Sequence, residues 1–425
     1  MSLVQPSSHT FDLNAATDGK LAAILDANHP GHAGAVEDVG LTEKNVEWKG
    51  RAYTILKYDK ARLTDDARAT SGLFRSVVVH NGKIVSFSPP KALTKKSYED
   101  CLNAWDNTLM EEFVEGTMMN LFCVEGEWEM ATRSLIGANG RFFNDGGCET
   151  FRKMFLDAAK ACGPDQTSEN GGVFALLNPA YSYSFVFQHP DNQIVTKVSK
   201  PSLYLVRVYE CEADGRVTEY YTGSLQSNDV CRPACTSMVD RPAPIEKGSH
   251  TEFGEVQRAW ASMERPHAEM GLVVYSPLTG GRCTYRNPTY EMVRHLRGNQ
   301  PKLQYQYLEL RTQGKVGEYL QHFPAAAQDF ARYREQLHLF TKTLHDNYVG
   351  CFVKKDKQLR EYSPQFKPHM WALHEKYRTE LREKKHYVSL SVCVDYVNCL
   401  PASKLMFALN WHVRENNRPH APTST

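Results

Sequence analysis

The spacing of apolar residues changes once along the chain, at about Lys315. Before that residue, apolar and polar positions alternate in short runs separated by Gly, Asn, Asp and Pro, which is the pattern of half-buried β-strands joined by turns. After it, Leu337, Phe340, Leu344 and Tyr348 recur at steps of three and four residues, which predicts amphipathic helices. We therefore expect the α+β class, with a domain of antiparallel sheets followed by an all-helical C-terminal domain.

The same patterns divide the chain into four segments. The predicted segments are an N-terminal extension (residues 1–45), a strand-rich domain (46–314), a helical domain (315–416) and a polar tail (417–425). Within the extension, the apolar piece from Leu21 to Leu25 predicts one small helix.

The chain of 425 residues is nearly neutral, with a net charge of +1. This balance argues against a protein that coats a polyanion with its whole surface, so any contact with RNA is expected from local basic patches. No run approaches the roughly 18 uninterrupted apolar residues of a membrane span, and the N-terminus lacks the basic-then-apolar pattern of a signal peptide. These observations predict no membrane partner and a cytoplasmic, reducing compartment.

The 11 cysteines are odd in number and scattered, which fits a reducing compartment better than a disulfide framework. Cys231 and Cys235 could form half of a zinc site, but no second pair follows at finger-like spacing, and Pro233 between them favours a loop. His369 and His374 are five positions apart, whereas metal ligands on one helical face are four apart, so this pair predicts a structural helix.

An ordered series of short segments carries a further signal. The series comprises Arg75-Ser76-Val77, Asn81-Gly82-Lys83, Pro90-Lys91-Ala92, Phe113-Val114-Glu115-Gly116, Trp128-Glu129-Met130-Ala131-Thr132-Arg133, Phe185-Val186-Phe187, Glu269-Met270-Gly271 and Cys283-Thr284-Tyr285-Arg286. As an ordered set it resembles the covalent nucleotidyltransferase superfamily, in particular the phage-type RNA ligases. Arg286-Asn287-Pro288 and Leu296-Arg297-Gly298 further resemble uncharacterised ligase-like proteins of large DNA viruses.

The resemblance implies a fold and a chemistry. Such ligases attack the α-phosphate of ATP with an unprotonated lysine amine, and the adenylate then passes to an RNA 5′-phosphate. A neighbouring cation lowers the pKa of that amine, further cations hold the phosphates, and carboxylates hold Mg²⁺. The resemblance therefore implies an RNA ligase-like domain that uses ATP and Mg²⁺ and acts on RNA ends or nicked duplexes.

Four positions depart from the catalytic pattern. Phe113 stands where the nucleophilic lysine is expected, and its ring has no lone pair with which to form a phosphoramidate. Val186 replaces a carboxylate, and Met270 stands before the glycine of the next motif, although a β-bulge could bring in Glu269 from one place upstream. Of two expected lysines in the last motif, one position is threonine and the other is Arg286.

These comparisons predict the following site residues. The predicted nucleotide-binding residues are Arg75, Phe113, Glu115, Gly116, Arg133 and Arg286. The predicted RNA-binding residues are Arg294, Arg297 and Lys302, and Glu269 is the predicted metal ligand. Lys91, and after it Lys57, are the lysines that could replace the missing nucleophile.

Two functions follow from this interpretation. In the first, the chain keeps the ligase-like groove to bind nucleotide or RNA ends and has lost lysine adenylylation, which makes it a pseudoenzyme located in the cytoplasm, a virion or a virus factory. In the second, it is an active ATP-dependent RNA ligase or end-modifying nucleotidyltransferase that uses a displaced lysine such as Lys91. The formation of a protein-AMP adduct distinguishes the two.

Overall fold

The computed structural model describes residues 8–101, 103–142, 149–162, 172–221 and 239–416. Contacts divide the chain into two compact units, the first reaching His295 and the second beginning at Leu296. The described strands are β1 (Ser8–Asp12), β2 (Leu41–Trp48), β3 (Arg51–Tyr58), β4 (Val77–His80), β5 (Lys83–Ser86), β6 (Leu109–Glu112), β7 (Thr117–Val124), β8 (Glu127–Thr132), β9 (Leu135–Ile136), β10 (Tyr181–Gln188), β11 (Ser202–Cys211), β12 (Arg216–Tyr221), β13 (Gly271–Tyr275) and β14 (Arg282–Arg286).

The longest described helix, Ala327–Tyr348, lies in the second unit. The described helices are α1 (Leu13–Ala16), α2 (Leu21–Leu25), α3 (His32–Asp38), α4 (Lys95–Glu99), α5 (Phe151–Ala161), α6 (Phe253–Trp260), α7 (Pro288–Arg297), α8 (Leu303–Thr312), α9 (Val316–His322), α10 (Ala327–Tyr348), α11 (Lys367–Lys376), α12 (Leu390–Asn398), α13 (Ala402–Leu409) and α14 (Trp411–Asn416). The predicted class, antiparallel sheets followed by a helical region, is confirmed.

A seven-stranded antiparallel sheet, in the order β1-β12-β11-β10-β7-β8-β9, forms the centre of the first unit. Because side chains alternate along a strand, β10 turns Tyr183, Phe185 and Phe187 to one face, where they are fully buried against α5. Phe155 of that helix meets Phe185 with ring centroids 5.9 Å apart. The opposite face of β10 carries Ser184, and it is this face that borders the candidate site.

A β-bulge changes which side chains reach that face. The register between β10 and β11 shifts between Ser184 and Phe185, so that Ser184 lies opposite Arg207 and Phe185 lies opposite Leu205. The extra residue in β11 reverses the alternation. Arg207 and Tyr209 consequently lie on the face of Ser184, away from the α5 core.

The N-terminal segment is part of the same sheet. β1 pairs with β12 through register positions such as Phe11 and Val217. Phe11, Leu13 and Leu21 are buried in one apolar cluster with Val217. The predicted extension is therefore integrated into the sheet from residue 8 onwards, and its predicted helix is α2.

A four-stranded antiparallel sheet, in the order β2-β3-β4-β5, lies against the bordering face. Asn81 and Gly82 link β4 to β5 with φ of 49° and 71°, the left-handed values of a tight two-residue turn. The buried hydroxyl of Ser182 on β10 donates to Ser86 Oγ on β5 over 3.0 Å, which joins this sheet to the central one.

A three-stranded sheet, in the order β14-β13-β6, completes the first unit. β13 pairs residue by residue with β14 and with β6. Its alternate residues Leu272 and Val274 are fully buried in a cluster with Phe253 and Val256 of α6. Phe113 directly follows β6 of this sheet and bonds to the first residue of β13.

The described secondary structure of the second unit consists of helices joined by loops. α10 buries Phe330, Tyr333, Leu337, Phe340 and Leu344, which confirms the helix predicted from their spacing. The predicted boundary at residue 315 falls between α8 and α9. No single described helix combines the length and apolar character of a membrane span, and α12 and α13 meet that criterion only as a pair bent by 119°.

Candidate functional site

Phe113 follows β6 directly and is held on both its backbone and its ring. Its backbone N–H donates to Gly271 O over 3.0 Å. Its half-buried ring packs against Tyr221, Val273 and Tyr275. The position at which the resemblance expects an amine is thus an apolar contact between the central and three-stranded sheets.

Arg286, at the end of β14, covers this ring. Its guanidinium carbon lies 5.0 Å from the ring centroid of Phe113, which is within the range of a cation–π interaction. Arg286 Nη1 also pairs with Glu291 Oε1 at 2.7 Å, and Arg294 shares the same carboxylate at 3.2 Å. Arg286 and Arg294 therefore share the Glu291 carboxylate, and Arg286 alone also contacts the Phe113 ring.

Glu115 is buried and its carboxylate is used inside the protein. It accepts hydrogen bonds from the backbone N–H groups of Val195, at 3.2 Å, and Thr196, at 3.0 Å. The hydroxyl of Tyr290 bonds to it as well, and Gln188 Nε2 donates to the Glu115 carbonyl over 2.8 Å. Glu115 thus fixes the turn that follows β10.

A glycine is required at position 116 because the backbone of β10 passes very close to it. It has φ of +150°, and a Cβ atom built on it would lie 2.4 Å from Phe187 O and 2.6 Å from Val186 Cγ1. No side chain fits there without a shift of the strand. The glycine of the predicted motif therefore has a packing role that the structure explains.

Glu269 is not carried into β13. The strand begins at Gly271 with a regular register, so the β-bulge considered in the sequence is not present. The Glu269 carboxylate instead accepts from Arg265 Nε at 2.7 Å, within the turn segment that precedes β13. Among the described residues, no group of three or more His, Cys, Asp or Glu side chains could hold a metal ion. Those residues do not fit a Mg²⁺ ion bound by protein ligands alone.

Four cations converge beside the hairpin of β4 and β5. We call Lys57, Arg75, Lys91 and Arg133 the basic pocket; all four are partly buried. They come from β3, from the segment before β4, from the segment after β5 and from the position directly after β8. The structure records no carboxylate within ion-pair distance of any of them in its described residues.

Local contacts hold these cations in place. Arg133 Nε donates to Arg75 O over 3.4 Å, and the Arg133 guanidinium lies 5.0 Å from the ring centroid of Tyr58. Lys57 Nζ donates to Ser134 Oγ over 3.4 Å. The backbone N–H of Lys91 donates to Gly72 O over 2.9 Å, which seats the segment after β5 against the turn before β4.

Burial and mutual repulsion lower the pKa values of three of the four cations in the basic pocket. Burial, together with the charges of Arg68, Arg75 and Arg133, lowers the pKa of Lys91. Burial and the charge of Arg133 likewise lower the pKa of Lys57. Burial and Arg133 also lower the pKa of Arg75. The charged forms of Lys57, Arg75 and Lys91 are thus less stable here than in water, and a bound anion would reverse that effect.

A buried ionic network, which sequence reasoning missed, lies between the central and three-stranded sheets. Arg207 pairs with Glu111 on β6 and Glu219 on β12, each at 2.8 Å. Its guanidinium also lies 4.4 Å from the ring centroid of Tyr275 and 5.2 Å from that of Tyr221. Those two rings stack with centroids 4.6 Å apart. The sequence signal that could have revealed this network was the presence of Glu111 and Glu219 within strand segments.

Arg282 extends this network towards the basic pocket. Burial and the charges of Arg75 and Arg207 lower the pKa of Arg282 to about 10. Its Nε and the hydroxyl of Tyr209 are buried, without a hydrogen-bond partner in the described residues. Arg282 was not predicted, because a basic residue at the start of a strand has no distinctive sequence context.

The predicted RNA-binding residues have separate surroundings. Arg294 is paired with Glu291 in the first unit. Arg297 ends α7. Burial raises the pKa of Tyr319 in the second unit, and the charge of Arg297 opposes that rise in part. Lys302 lines a groove of about 300 Å³ in the second unit together with Arg332 and Tyr333.

The two possible metal motifs do not change this picture. Cys231 and Cys235 lie outside the described residues. His369 and His374 lie on α11, as predicted for a structural helix. His369 Nδ1 is 2.9 Å from the Tyr396 hydroxyl, and His374 stacks on Phe352 with centroids 4.0 Å apart.

Comparisons with known proteins give only distant structural likenesses. No protein-family model matches the sequence, and no curated protein is detectably similar to it. An archaeal ATP-dependent RNA ligase has a TM-score of 0.37 at 15% identity, over 71% of this chain and 70% of that chain. A putative ATP-dependent DNA ligase from Aquifex aeolicus has a TM-score of 0.37 at 11% identity, over 82% of this chain and 79% of its own.

A third similar structure is the K326A mutant of a Naegleria gruberi RNA ligase, determined with ATP and Mn. Its TM-score is 0.34 at 10% identity, over 60% of this chain and 76% of that chain. These likenesses are too distant to transfer a residue, a ligand or a reaction. The chemistry of this chain has to be argued from its own side chains.

Proposed function

We propose that this chain binds nucleotides or RNA 5′ ends through their phosphates in the basic pocket, and that it carries no adenylate on residue 113. The observation that supports the proposal most directly is the convergence of Lys57, Arg75, Lys91 and Arg133 without a recorded acidic partner. The departures from the catalytic motifs agree with a protein that still binds phosphates but no longer forms a lysyl adenylate.

Uncompensated cations in a partly buried pocket favour an anionic ligand. Like charges at short range repel more strongly as the local dielectric falls, which is why burial and neighbouring cations depress the pKa of Lys91. Phosphate oxygens accept charge-assisted hydrogen bonds, and the planar guanidinium groups of Arg75 and Arg133 suit bidentate contacts. Binding of a phosphate group would therefore stabilise the pocket and the ligand together.

Residue 113 has no comparable chemical capacity. The Phe113 ring offers no nucleophilic atom, and it is covered by Arg286 and packed against Tyr275. Glu115, two positions later, is bonded to the backbone of Val195 and Thr196. ATP is therefore expected as a ligand held by its phosphates, and Mg²⁺ is expected to arrive with the nucleotide if it takes part.

Lys91 supports a second candidate function. An amine whose pKa is lowered by burial and by three cations is unprotonated more often at neutral pH than an ordinary lysine. In an active ligase, the Lys91 amine would attack the α-phosphorus of ATP, pyrophosphate would leave, and the amine proton would pass to solvent. This function requires a stable gain of one AMP on Lys91, which Lys91→Arg abolishes.

Binding of RNA ends tests the proposal. A 3′-labelled RNA with a 5′-phosphate is titrated with wild-type protein, and affinity is read by fluorescence anisotropy at physiological salt. Arg133→Ala and Lys91→Ala are each expected to weaken binding about ten-fold or more, because each removes a charge-assisted contact. Arg216→Ala is the matched control. Arg216 is an exposed arginine outside the basic pocket, and it pairs with Glu212 and Asp214.

Two results would refute the proposal. Full affinity in both pocket variants would show that the pocket is not the RNA site. Equal affinity for the same RNA bearing a 5′-hydroxyl would show that the terminal phosphate is not recognised.

A further inference from the structure

A groove of about 480 Å³ lies in the second unit, lined by residues of α11, α12, α13 and α14; we call it the aromatic groove. Its aromatic lining consists of Tyr396 of α12, Phe407 of α13 and Trp411 of α14. Phe407 and Trp411 meet edge to face with ring centroids 5.6 Å apart, and the Phe407 side chain is 47% exposed. A concave surface of this volume with mainly apolar walls is typical of a ligand-binding site.

The polar side chains of the aromatic groove include two that the protein itself leaves available. His369 Nδ1 lies 2.9 Å from the Tyr396 hydroxyl, so this pair is satisfied internally. Ser403 and Lys404 of α13 are exposed, and their side chains make no hydrogen bond or ion pair with another residue in the described part of the chain. A hydroxyl and an ammonium group both donate hydrogen bonds, so they suit a ligand rich in acceptors.

The lining of the aromatic groove carries little charge. Among the described residues that line it, Lys404 alone is charged at pH 7. Burial and the charge of Lys404 lower the pKa of His369 from 6.5, so that ring is neutral at pH 7. A nucleic-acid strand carries one negative charge per nucleotide and is usually held by several cations. The groove therefore suits an uncharged segment with exposed carbonyl groups better than it suits RNA.

The polar tail that follows α14 has the sequence of such a segment. Residues 417–425, which lie outside the described residues, read Asn-Arg-Pro-His-Ala-Pro-Thr-Ser-Thr. Pro419 and Pro422 are three positions apart, and a polyproline II helix has three residues per turn, so in that conformation their rings share one face. The carbonyl groups of a polyproline II helix make no internal hydrogen bonds, and aromatic-lined grooves are the usual binding sites of such helices.

The tail begins close enough to the aromatic groove to reach it. α14 ends at Asn416, five residues after Trp411. Five helical residues rise about 7.5 Å, and the three extended residues from Asn416 to Pro419 span about 10 Å. Pro419 can therefore return to the Trp411 ring without any movement of α14.

We propose that the aromatic groove binds the chain's own tail as a polyproline II segment. Pro419 and Pro422 pack against the rings of Phe407 and Trp411, and tail carbonyl groups accept hydrogen bonds from Ser403 and Lys404. The tail thereby covers the exposed aromatic surface of the second unit within one molecule. A free proline-rich peptide competes with the tail for the same surface.

Competition between the tail and a free peptide tests the proposal. The probe is a fluorescent peptide of residues 416–425, titrated by anisotropy with the full wild-type chain and with the full chain carrying Pro419→Ala and Pro422→Ala. An attached segment has an effective concentration in the millimolar range, so the wild-type chain is expected to bind the peptide at least about ten-fold more weakly than the double variant.

Two further substitutions in the double variant locate the binding surface. Phe407→Ala removes an aromatic wall of the groove and should weaken peptide binding at least about five-fold. Trp371→Ala is the matched control and should leave the affinity unchanged, because Trp371 lies on α11, is 54% exposed and does not line the groove.

Four results would overturn the proposal. Equal peptide affinity of the wild-type chain and the double variant would show that the tail does not occupy the groove, and absence of binding to the double variant would show that the groove does not take this segment. Equal affinity for a peptide with alanine at both proline positions would exclude recognition of the prolines. A wild-type dimer that becomes monomeric in the double variant would assign the groove to the tail of a second copy. If Phe407→Ala unfolds the chain, Lys404→Ala, which shortens an exposed side chain, must show the loss of affinity instead.

Discussion

The guanidinium of Arg286 lies over the ring of Phe113, with 5.0 Å between the guanidinium carbon and the ring centroid. The sequence resemblance predicts a lysine at the position of Arg286 and the nucleophile at that of Phe113. The structure places these two positions in direct contact. Glu291 also pairs with Arg286 at 2.7 Å.

Restoring a lysine at position 113 is expected not to restore adenylylation. Phe113→Lys replaces ring packing against Tyr221, Val273 and Tyr275 with an amine beside Arg286, and it supplies none of the missing metal ligands. Incubation with ATP and Mg²⁺ followed by intact-mass measurement should show no added AMP. Stability should fall by about 2 kcal/mol, since part of an aromatic core contact and a cation–π contact are lost.

Phe113→Leu is the control for that variant. It retains apolar packing and loses the ring beneath Arg286, so a smaller loss of about 1 kcal/mol is expected. An AMP adduct on Phe113→Lys would contradict this prediction and would show that the remainder of a catalytic site is assembled.

Gly116→Ala should destabilise the first unit more than an ordinary glycine replacement. The added Cβ would lie 2.4 Å from Phe187 O, where backbone would have to move. Gly126→Ala is matched to it, because Gly126 also has a positive φ, of +82°, but nothing lies within 4 Å of its Cβ position. The difference in unfolding free energy, measured by urea denaturation, should exceed about 2 kcal/mol. Equal losses of unfolding free energy in the two variants would indicate that Gly116 does not lie as close to β10 as the structure shows.

Local signals in the sequence predicted much of this architecture. The Asn81-Gly82 hairpin and α10 follow from turn chemistry and from apolar spacing, which act between neighbours in the chain. The contact of Glu111 with Arg207 could not be predicted from such local signals. It depends on the bulge opposite Ser184 and Phe185, because a one-residue shift moves the side chains of a strand to the opposite face.

The candidate site shows the same division. Arg75 and Arg133 were predicted as nucleotide-binding residues, and the structure joins them by a hydrogen bond. Lys91 and Lys57 were predicted only as substitute nucleophiles, although the charge of Arg133 acts on both. The pairing of Glu269 with Arg265 was not predicted, because the two residues lie in a turn segment outside any helix, where a spacing of four does not by itself bring side chains together.

The buried network should contribute far more to stability than an exposed one. Arg207→Met leaves Glu111 and Glu219 buried without their cation, and removing one partner of a buried ion pair costs about 3 to 5 kcal/mol. Arg216→Ala, which breaks exposed pairs, should cost less than about 1 kcal/mol. Chemical denaturation measures both. A loss below about 1 kcal/mol for Arg207→Met would show that the network carries little of the contact between the sheets.

Phosphate binding should take up protons at alkaline pH. The free pocket holds the pKa of Lys91 below its ordinary value of 10.5, whereas a bound phosphate favours the ammonium form and raises that pKa again. Above the lowered pKa, binding therefore adds a proton, and affinity falls as pH rises. Titration calorimetry at about pH 9 in buffers of different ionisation enthalpy measures the uptake.

Lys91→Arg provides the control for proton uptake, because an arginine keeps its charge throughout this range. The variant should bind phosphate with less proton uptake and a flatter pH dependence. Unchanged uptake in Lys91→Arg would assign the titration to a different group.

Mass spectrometry of one sample of the full chain with ATP and Mg²⁺, recorded first under native and then under denaturing conditions, tests the central claim most directly. We predict that the native spectrum gains the mass of the nucleotide and that the denatured spectrum returns to the unmodified chain, since the basic pocket holds phosphates and residue 113 forms no bond to them. A gain of one AMP that persists after denaturation, or a native spectrum without bound nucleotide, would contradict the account.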